Sequence, residues 1–189
     1  GTAPDIISPE HCQEAAKKLG MLLRSLPKVK RGLGTIRQDV NVSIKGGARI
    51  EIKGAQDLRI LPTLVELEVR RQAELLKIKD ELRGVRLNEF SVIDLSLLLH
   101  DINSEIIRKT FTAGGKVLGL KLHGFSGLVG RELQPNYRLG TELSGRAKIK
   151  AGVNGILHSD ELPNYGISEK EIKLIKKKLG CELLATNLK

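Results

Sequence analysis

Residues 33–54, LGTIRQDVNVSIKGGARIEIKG, place the tightest limit on what this chain can fold into. Apolar and polar residues alternate on both sides of a pair of glycines, Gly46 and Gly47. The apolar members of this pattern are Val40, Val42, Ile44, Ile50 and Ile52. Because successive side chains of a strand point to opposite faces, this period of two predicts an antiparallel β-hairpin with one buried face.

The length of the turn decides which residues of the hairpin face each other, since cross-strand partners must share a face. A two-residue turn at 46–47 would set Ile44 opposite Arg49 and mix the apolar and polar faces. A three-residue turn at 46–48 sets Ile44 opposite Ile50 and keeps the faces separate. We therefore predict the three-residue turn, in which glycine supplies the positive φ that such loops use.

The second face of the predicted hairpin is rich in charged and amide side chains. Its members are Arg37, Asp39, Asn41, Ser43, Lys45, Arg49, Glu51 and Lys53. An antiparallel sheet commonly has one solvated face, so this pattern is typical of an ordinary wet face. Carboxylates also bind Mg²⁺ and cations bind phosphates, so a site for a metal and a polyanion is the alternative interpretation. The pattern alone leaves both open.

Charge and cysteine content narrow the class of protein and of partner. Lys and Arg outnumber Asp and Glu by 32 to 22, a net charge of +10, which favours an acidic partner such as nucleic acid. A charge-rich protein of a heat-adapted organism is the alternative. Cys12 and Cys181 lack CxxC spacing, which predicts a reducing, cytoplasmic environment without a disulfide framework or zinc site. No apolar run approaches the ~18 residues of a membrane span.

Capping residues and periodicity predict the elements around the hairpin. We expect helices from Pro9 to before Pro27, from about Pro62 to Leu82, after Asn103 or Ser104, from Arg138 to Ala151, and from a Ser168–Glu171 capping box to Gly180. We expect strands at Lys116 to His123 and Val153 to His158, and a domain boundary at Gly84.

Two further stretches carry residues with possible chemistry. The loop 124–130, GFSGLVG, has three glycines, but its spacing matches neither the P-loop nor the dinucleotide-binding fingerprint, so a structural turn is predicted. His158, Asp160 and Glu161 are metal-ligand types at close spacing, although a polar turn after a strand is commoner.

The hairpin closely resembles the catalytic core of the tRNA-dependent amidotransferase B/E family, in particular its archaeal E branch. The preceding stretch TAPDIISPEHCQEAAKKLG resembles the segment that leads into this hairpin in the family. The block from about 85 to 180, which includes FSVIDLSLLLHDINSEIIRKTF and VNGILHSDELPNYGIS, resembles the insertion domain shared with bacterial-type aspartyl-tRNA synthetases. The bacterial B branch lacks that insertion.

The resemblance implies an α+β fold in two parts. Residues 1–84 would form part of an antiparallel-sheet cradle with flanking helices, 85–182 a two-layer α/β insertion domain, and 183–189 a tail. The chain starts at Gly1 without an initiator Met, after positions where the family supplies a histidine and further carboxylates, and the family's C-terminal tRNA-gripping domains lie beyond Lys189. We therefore expect a fragment that is inactive alone.

The implied reaction is the ATP-dependent amidation of glutamate on Glu-tRNA(Gln), with Mg²⁺ and with ammonia from an asparaginase-like partner, the D subunit, in a heterotetramer. On the family's pattern, Asp39 and Glu51 carry the metal-binding carboxylates, and Asn41 is a weaker candidate for orienting substrate or metal-bound water. Arg37 and Lys53 are our own assignments for phosphate contacts. A non-catalytic tRNA-binding or subunit-docking module is the alternative.

The predicted register sets a geometric limit on that metal site. Glu51 would face Ser43, four residues from Asp39, or ~13 Å along the strand. One ion could then bind both carboxylates only with a bulge or with a different pairing of the strands.

Overall fold

The computed structural model describes residues 5–86 and 90–181, so the predicted tail at 183–189 lies outside the described residues. The chain forms two compact units. Unit 1 comprises Gly1–Glu81 together with Glu132–Tyr137, and unit 2 comprises Leu82–Arg131 and Arg138–Lys189. The chain first passes from unit 1 to unit 2 between Glu81 and Leu82. The return of 132–137 to unit 1 has no counterpart in the sequence-based prediction.

Five helices and six short strands lie within the described residues. The helices are α1 (Pro9–Ser25), α2 (Leu61–Glu81), α3 (Glu105–Thr112), α4 (Leu139–Ala151) and α5 (Glu169–Lys178). The strands are β1 (Val40–Val42), β2 (Ile50–Ile52), β3 (Val92–Asp94), β4 (Leu118–Leu120), β5 (Glu132–Gln134) and β6 (Tyr137–Arg138). Single 3₁₀ turns lie at Leu58–Ile60 and Ser159–Glu161.

The strands pair as three separate two-stranded sheets, β1–β2, β3–β4 and β5–β6. The first two pairs are antiparallel. Helices joined to small antiparallel sheets confirm the α+β class. Within residues 5–86 and 90–181 there is no larger sheet of the kind expected for a cradle or for a two-layer insertion.

Two predicted strands are wrong in whole or in part. Residues 153–158 form no strand. Val153 and its neighbours are exposed, and Leu157 packs against the core of unit 2. The strand predicted from Lys116 to His123 is reduced to β4, and Gly124, with a φ of +75°, turns the chain away shortly after it.

Helix ends follow the local capping signals. Ser8 Oγ accepts a hydrogen bond from the backbone N–H of His11 at 3.1 Å, and Pro9 occupies the first helical position of α1. The capping box of α5 is also confirmed: Ser168 N–H donates to Glu171 Oε2 at 2.6 Å, and Glu171 N–H donates to Ser168 Oγ at 3.5 Å.

The core of unit 1 covers the apolar face of the β1–β2 hairpin. Its buried members are Cys12, Val40, Val42, Ala55 and Leu61, and they come from α1, β1, the segment after β2, and α2. Among the apolar residues of α1, Cys12 is buried in this core and Ala16 packs against it, whereas Leu19 and Leu22 are 46% and 62% exposed. The hairpin is thus supported from below while its polar face stays open to solvent.

The core of unit 2 joins α3 and α5 to the segment after β3. Its buried members are Leu95, Leu99, Ile102, Ile107, Ile167 and Ile172. In the part of the chain that the structure describes, no helix is both long and apolar enough to cross a membrane.

Candidate functional site on the hairpin

The register of the hairpin differs from the predicted one by two residues. Val42 pairs with Ile50, Asn41 with Glu51 and Val40 with Ile52, so Glu51 faces Asn41 and not Ser43. A shift of two residues keeps every side chain on its face, which is why the predicted faces hold: Val40 and Val42 are 8% and 5% exposed.

The cause of the shift is a longer connection than the three-residue turn. The ladder ends at Val42 and Ile50, and the chain turns at 44–47, where Gly47 N–H donates to Ile44 O at 2.9 Å. Gly46 supplies the positive φ of this turn, +82°. The predicted turn at 46–48 is therefore wrong, because the turn closes earlier in the chain.

The corrected register brings three of the predicted site residues together. Lys53 Nζ lies 2.9 Å from Glu51 Oε2 and 3.6 Å from Asp39 Oδ2. Asp39 Oδ1 also accepts a hydrogen bond from the backbone N–H of Gly54 at 3.1 Å, in place of the next rung of the ladder. The Asp39 and Glu51 carboxylates both contact the Lys53 ammonium group, so their separation cannot exceed the sum of those two distances. The separation of ~13 Å expected from the predicted register is therefore wrong.

This cluster of Asp39, Glu51 and Lys53 is exposed and electrostatically coupled. The Lys53, Asp39 and Glu51 side chains are 73%, 42% and 47% exposed. The hydrogen bond and charge of Glu51, followed by the charge of Asp39, raise the pKa of Lys53 above its ordinary value of 10.5. Lys53 therefore stays protonated at neutral pH and occupies the position between the carboxylates that suits a cation.

The other two predicted residues differ in how they relate to the cluster. Asn41 lies in the middle of β1, exposed and directly across from Glu51, so its amide belongs to the same surface. Arg37 is exposed and precedes β1, and within residues 5–86 and 90–181 its guanidinium makes no hydrogen bond or ion pair. The structure therefore groups four of the five residues and leaves Arg37 apart.

A buried polar network under the hairpin was missed by sequence reasoning. Gln72 of α2, 4% exposed, donates to Val42 O at 3.1 Å and accepts from Ile44 N–H at 3.3 Å, which holds the point where β1 ends. Gln72 also donates to Glu68 Oε1 at 2.9 Å, and Glu68 is paired with Arg71 at 3.0 Å.

Both the helix periodicity and the glycine pair contained a signal for this network. Positions 68 and 72 lie on the side of α2 that also presents Leu61 and Leu64 to the core, where an apolar residue is the usual choice. A Cβ at position 47 would collide with the end of the Gln72 side chain and crowd Ile44, so glycine allows the close approach of both residues.

The donor set of the cluster fits a divalent ion that shares its coordination with a substrate. Mg²⁺ is commonly held by one or two carboxylates, with water and substrate phosphate oxygens filling the remaining positions. Asp39 and Glu51 would supply the carboxylates, and the amide of Asn41 lies beside Glu51. Among the described residues no three His, Cys, Asp or Glu side chains are close enough to hold a metal ion by themselves.

The two weaker sequence patterns meet each other in unit 2. Asp160 Oδ1 accepts from Gly127 N–H and Oδ2 accepts from Gly130 N–H, each at 2.9 Å. The glycine loop thus binds an anion, but the anion is a carboxylate of the same chain. His158 Nε2 lies 3.4 Å from Glu161 Oε1. These contacts support the structural interpretation of both stretches.

The sequence matches a known family model over most of its length. The model, described as the GatB/GatE catalytic domain, covers residues 1–171. The chain belongs to this family. The amidotransferase resemblance of the hairpin is thereby confirmed.

Archaeal relatives agree with the family model. Proteins named as the E subunit of glutamyl-tRNA(Gln) amidotransferase from Haloarcula marismortui, Thermococcus gammatolerans and Sulfolobus acidocaldarius are 56%, 55% and 51% identical to it. The alignments cover 96%, 95% and 95% of this chain but 29% of each relative. The chain therefore spans less than half the length of the curated relatives that it matches.

Proposed function

We propose that this chain forms part of the active site of an ATP-dependent amidotransferase that converts Glu-tRNA(Gln) to Gln-tRNA(Gln). ATP would transfer its γ-phosphoryl group to the side-chain carboxylate of the tRNA-bound glutamate and leave as ADP. Ammonia would then attack the carbonyl carbon of this acyl phosphate, forming the C–N bond, losing a proton and releasing phosphate. The protein would thus act as a carbon–nitrogen ligase.

One observation carries this proposal: Asp39 and Glu51 converge on Lys53 on an open face of the hairpin. Phosphoryl transfer depends on positioning and on neutralising the charge of the phosphates, and a Mg²⁺ ion held by carboxylates supplies that neutralisation. A mixed surface of two carboxylates and a cation suits this chemistry.

Each residue of the cluster would have a distinct role. Asp39 and Glu51 would hold the metal, and Asn41 would orient substrate or metal-bound water from its position beside Glu51. Lys53, which is 73% exposed, would leave the carboxylates to the metal and turn to a phosphate of ATP. Arg37 would approach the phosphates from the segment before β1.

The assembly around this chain is also part of the proposal. The relatives are named as a subunit, which supports a complex of several chains that acts on tRNA. We propose an asparaginase-like D subunit as the source of ammonia, a heterotetrameric complex, and a cytoplasmic location. Residues 1–84 would belong to the catalytic cradle and residues 85–182 to the insertion domain, apart from 132–137, which belong to unit 1.

The test is to measure amidation of Glu-tRNA(Gln) by the full-length protein in complex with its partner. We expect Asp39→Ala and Glu51→Ala each to lower kcat by at least ~100-fold, because each removes a carboxylate that acts on the charge of the transition state. Folding and assembly of the complex should be unchanged, since both side chains are exposed.

Glu14→Gln is the matched control. Glu14 is paired with Lys18 on the surface of α1 at 2.7 Å, so its replacement removes one carboxylate of unit 1 without touching the cluster. Wild-type turnover in both Asp39→Ala and Glu51→Ala would show that the cluster is not the metal site.

The second candidate function is a non-catalytic tRNA-binding or subunit-docking module. The net charge of +10 favours it, because a basic surface attracts the phosphates of RNA irrespective of chemistry. The two functions differ in their dependence on ATP. The second function predicts tight tRNA binding that weakens steeply with salt and is fully retained in the Asp39 and Glu51 variants. It also predicts that the protein shows no amidation.

A further inference from the structure

Asp39 lies just outside the paired part of the hairpin. The ladder joins three residues of β1 to three residues of β2, and Glu51 is the central residue of β2. The strand pairing therefore fixes the position of Glu51 but ends before Asp39. Residues 26–39, between α1 and β1, form no helix or strand. The contacts that hold Asp39 close to Glu51 must therefore come from outside the ladder.

Two glutamines join the two segments where the ladder ends. Gln38 Nε2 donates to Ala55 O at 2.8 Å, and Gln56 Nε2 donates to Gln38 O at 3.2 Å. Each side chain thus binds the backbone of the opposite segment, and we call this reciprocal pair the glutamine clamp. The hydrogen bond from Gly54 N–H to Asp39 Oδ1, at 3.1 Å, lies between the ladder and the glutamine clamp.

Gln38 attaches the glutamine clamp to the core of unit 1. The period of two places its side chain on the apolar face with Val40 and Val42, and the residue is half-buried. A polar side chain at such a position needs a hydrogen-bond partner. The partner is the carbonyl group of Ala55, which is 3% exposed and belongs to the same core. This end of the glutamine clamp is therefore held by a buried residue.

Gln56 acts on the peptide group that precedes Asp39. Its acceptor, Gln38 O, belongs to the planar peptide unit between Gln38 and Asp39. A hydrogen bond to this oxygen restricts the orientation of the peptide plane, and with it the direction in which the Asp39 side chain leaves the backbone. Both acceptors are carbonyl oxygens, so both glutamines must present their NH2 groups, which no carboxylate could replace.

The charges of the cluster show why Asp39 needs a restraint. Lys53 Nζ contacts Glu51 at 2.9 Å and Asp39 at 3.6 Å. Two carboxylates that share a site repel each other, and this repulsion is strongest when no cation lies between them. Because Asp39 is the carboxylate outside the ladder, it is the one that would move away. A backbone restraint keeps the pair prepared for a cation.

We propose that Gln38 and Gln56 are positioning residues that hold the Asp39 carboxylate at a distance from Glu51 that one cation can bridge. They act through the backbone on either side of Asp39. The consequence for amidation rests on the proposed function. The restraint on Asp39 does not, and it can be measured without the reaction.

Hydrogen exchange of the Gly54 N–H group measures the restraint, because this group donates to Asp39 Oδ1. In the whole chain we expect Gln38→Met and Gln56→Met each to speed this exchange at least about fivefold, since local opening frees the amide. Amides in the middle of α2 should exchange as in wild type. A general loss of stability would instead speed exchange in α2 as well.

Gln13→Met is the matched control. Gln13 Nε2 donates to Leu58 O at 2.8 Å, also within unit 1. Methionine keeps the length of the side chain and removes the amide, so all three variants lose the same kind of hydrogen bond. Gly54 should exchange at the wild-type rate in Gln13→Met. Equal Gly54 exchange in the three variants, whether faster than in wild type or not, would overturn the proposal.

Amidation by the full-length complex tests the consequence for catalysis. We expect Gln38→Met and Gln56→Met to lower kcat at least ~10-fold and to leave the KM for Glu-tRNA(Gln) within about twofold, because a displaced carboxylate affects the transition state more than substrate binding. In an Asp39→Ala background neither substitution should lower kcat further, since both act through that carboxylate. Gln13→Met should have the kcat of wild type.

Failure of this inference and failure of the proposed function give different results. If Asp39→Ala keeps wild-type turnover, the proposed function fails, and Gly54 exchange alone decides whether the glutamine clamp restrains Asp39. If Asp39→Ala is inactive while Gln38→Met and Gln56→Met keep wild-type kcat, the positioning role is overturned and the proposed function stands.

Discussion

Lys53 links the two carboxylates of the hairpin's polar face into one cluster. Its ammonium contacts both Glu51 and Asp39, and the carboxylates in turn raise its pKa. Because the folded pKa lies above the ordinary value of 10.5, this pairing stabilises the fold at pH values below about 10.5. The contribution is lost as the pH rises through the higher folded pKa.

NMR can test which of the two carboxylates raises the pKa of Lys53 more. We expect the Lys53 Nζ resonance to titrate above 10.5, and Glu51→Gln to lower that pKa more than Asp39→Asn, because Glu51 is the closer partner. Glu14→Gln should leave the titration of Lys53 unchanged. An equal response to all three variants would contradict the geometry of the cluster.

Gly47 lies against the side chain of Gln72, a residue distant in sequence, which leaves little room for a side chain at position 47. We expect Gly47→Ala to lower the free energy of unfolding by about 1–3 kcal/mol, because its Cβ would collide with the side chain of Gln72. Urea denaturation measures this loss. In a Gln72→Ala background the same substitution should cost less, since the closest contact is removed and only the contacts with Ile44 remain.

Gly20 provides the control for that substitution. It lies inside α1, and an added Cβ would meet nothing within 4 Å, so Gly20→Ala should raise stability by about 0.5–1 kcal/mol through helix propensity. A loss of stability in Gly20→Ala as large as that in Gly47→Ala would argue against a specific collision with Gln72.

At the scale of elements, the loop 124–130 shows why glycine spacing alone does not identify a phosphate site. Its amides do bind an anion, but Asp160 fills that role from about thirty residues further along the chain. The carboxylate connects the loop to the turn at Ser159–Glu161 and so ties two irregular segments of unit 2 together.

This carboxylate contact should contribute measurably to the stability of unit 2. We expect Asp160→Asn to lower the free energy of unfolding by about 1.5–3 kcal/mol, because an amide has one acceptor oxygen, so one of the two backbone N–H groups would face the NH2 donor of Asn. Asp101→Asn, at a side chain that is 98% exposed, should change it by less than about 0.5 kcal/mol. Equal unfolding midpoints for the two variants would refute the role of Asp160.

At the scale of the whole molecule, β5 belongs to unit 1 although the chain has already entered unit 2 before it. Its central residue, Leu133, is 0% exposed, and β5 packs against α2 within unit 1. The packing around α2, the helix that supports the hairpin, therefore includes residues that follow the long segment 82–131 of unit 2. A boundary drawn at Gly84 would separate Leu133 from its packing partners.

Replacing Leu133 should consequently destabilise unit 1. We expect Leu133→Ala to cost about 2–5 kcal/mol through lost burial and the cavity left behind. In a Tyr165→Phe background the remaining tyrosine, Tyr137, belongs to unit 1 and reports its unfolding in urea. Leu33→Ala, at a fully exposed position of the same unit, is the control and should leave the midpoint unchanged.

Local signals were enough to predict the faces of the hairpin and the limits of most helices, whereas the choice of Asp39 and Glu51 as candidate metal ligands came from the family resemblance. Alternation and capping depend on neighbours in sequence, and a register shift of two residues leaves each side chain on its face. The meeting of Asp39, Glu51 and Lys53, the support by Gln72 and the capture of the glycine loop by Asp160 could not be predicted in this way. They depend on the strand pairing and on contacts between residues distant in sequence, which form only when the chain packs.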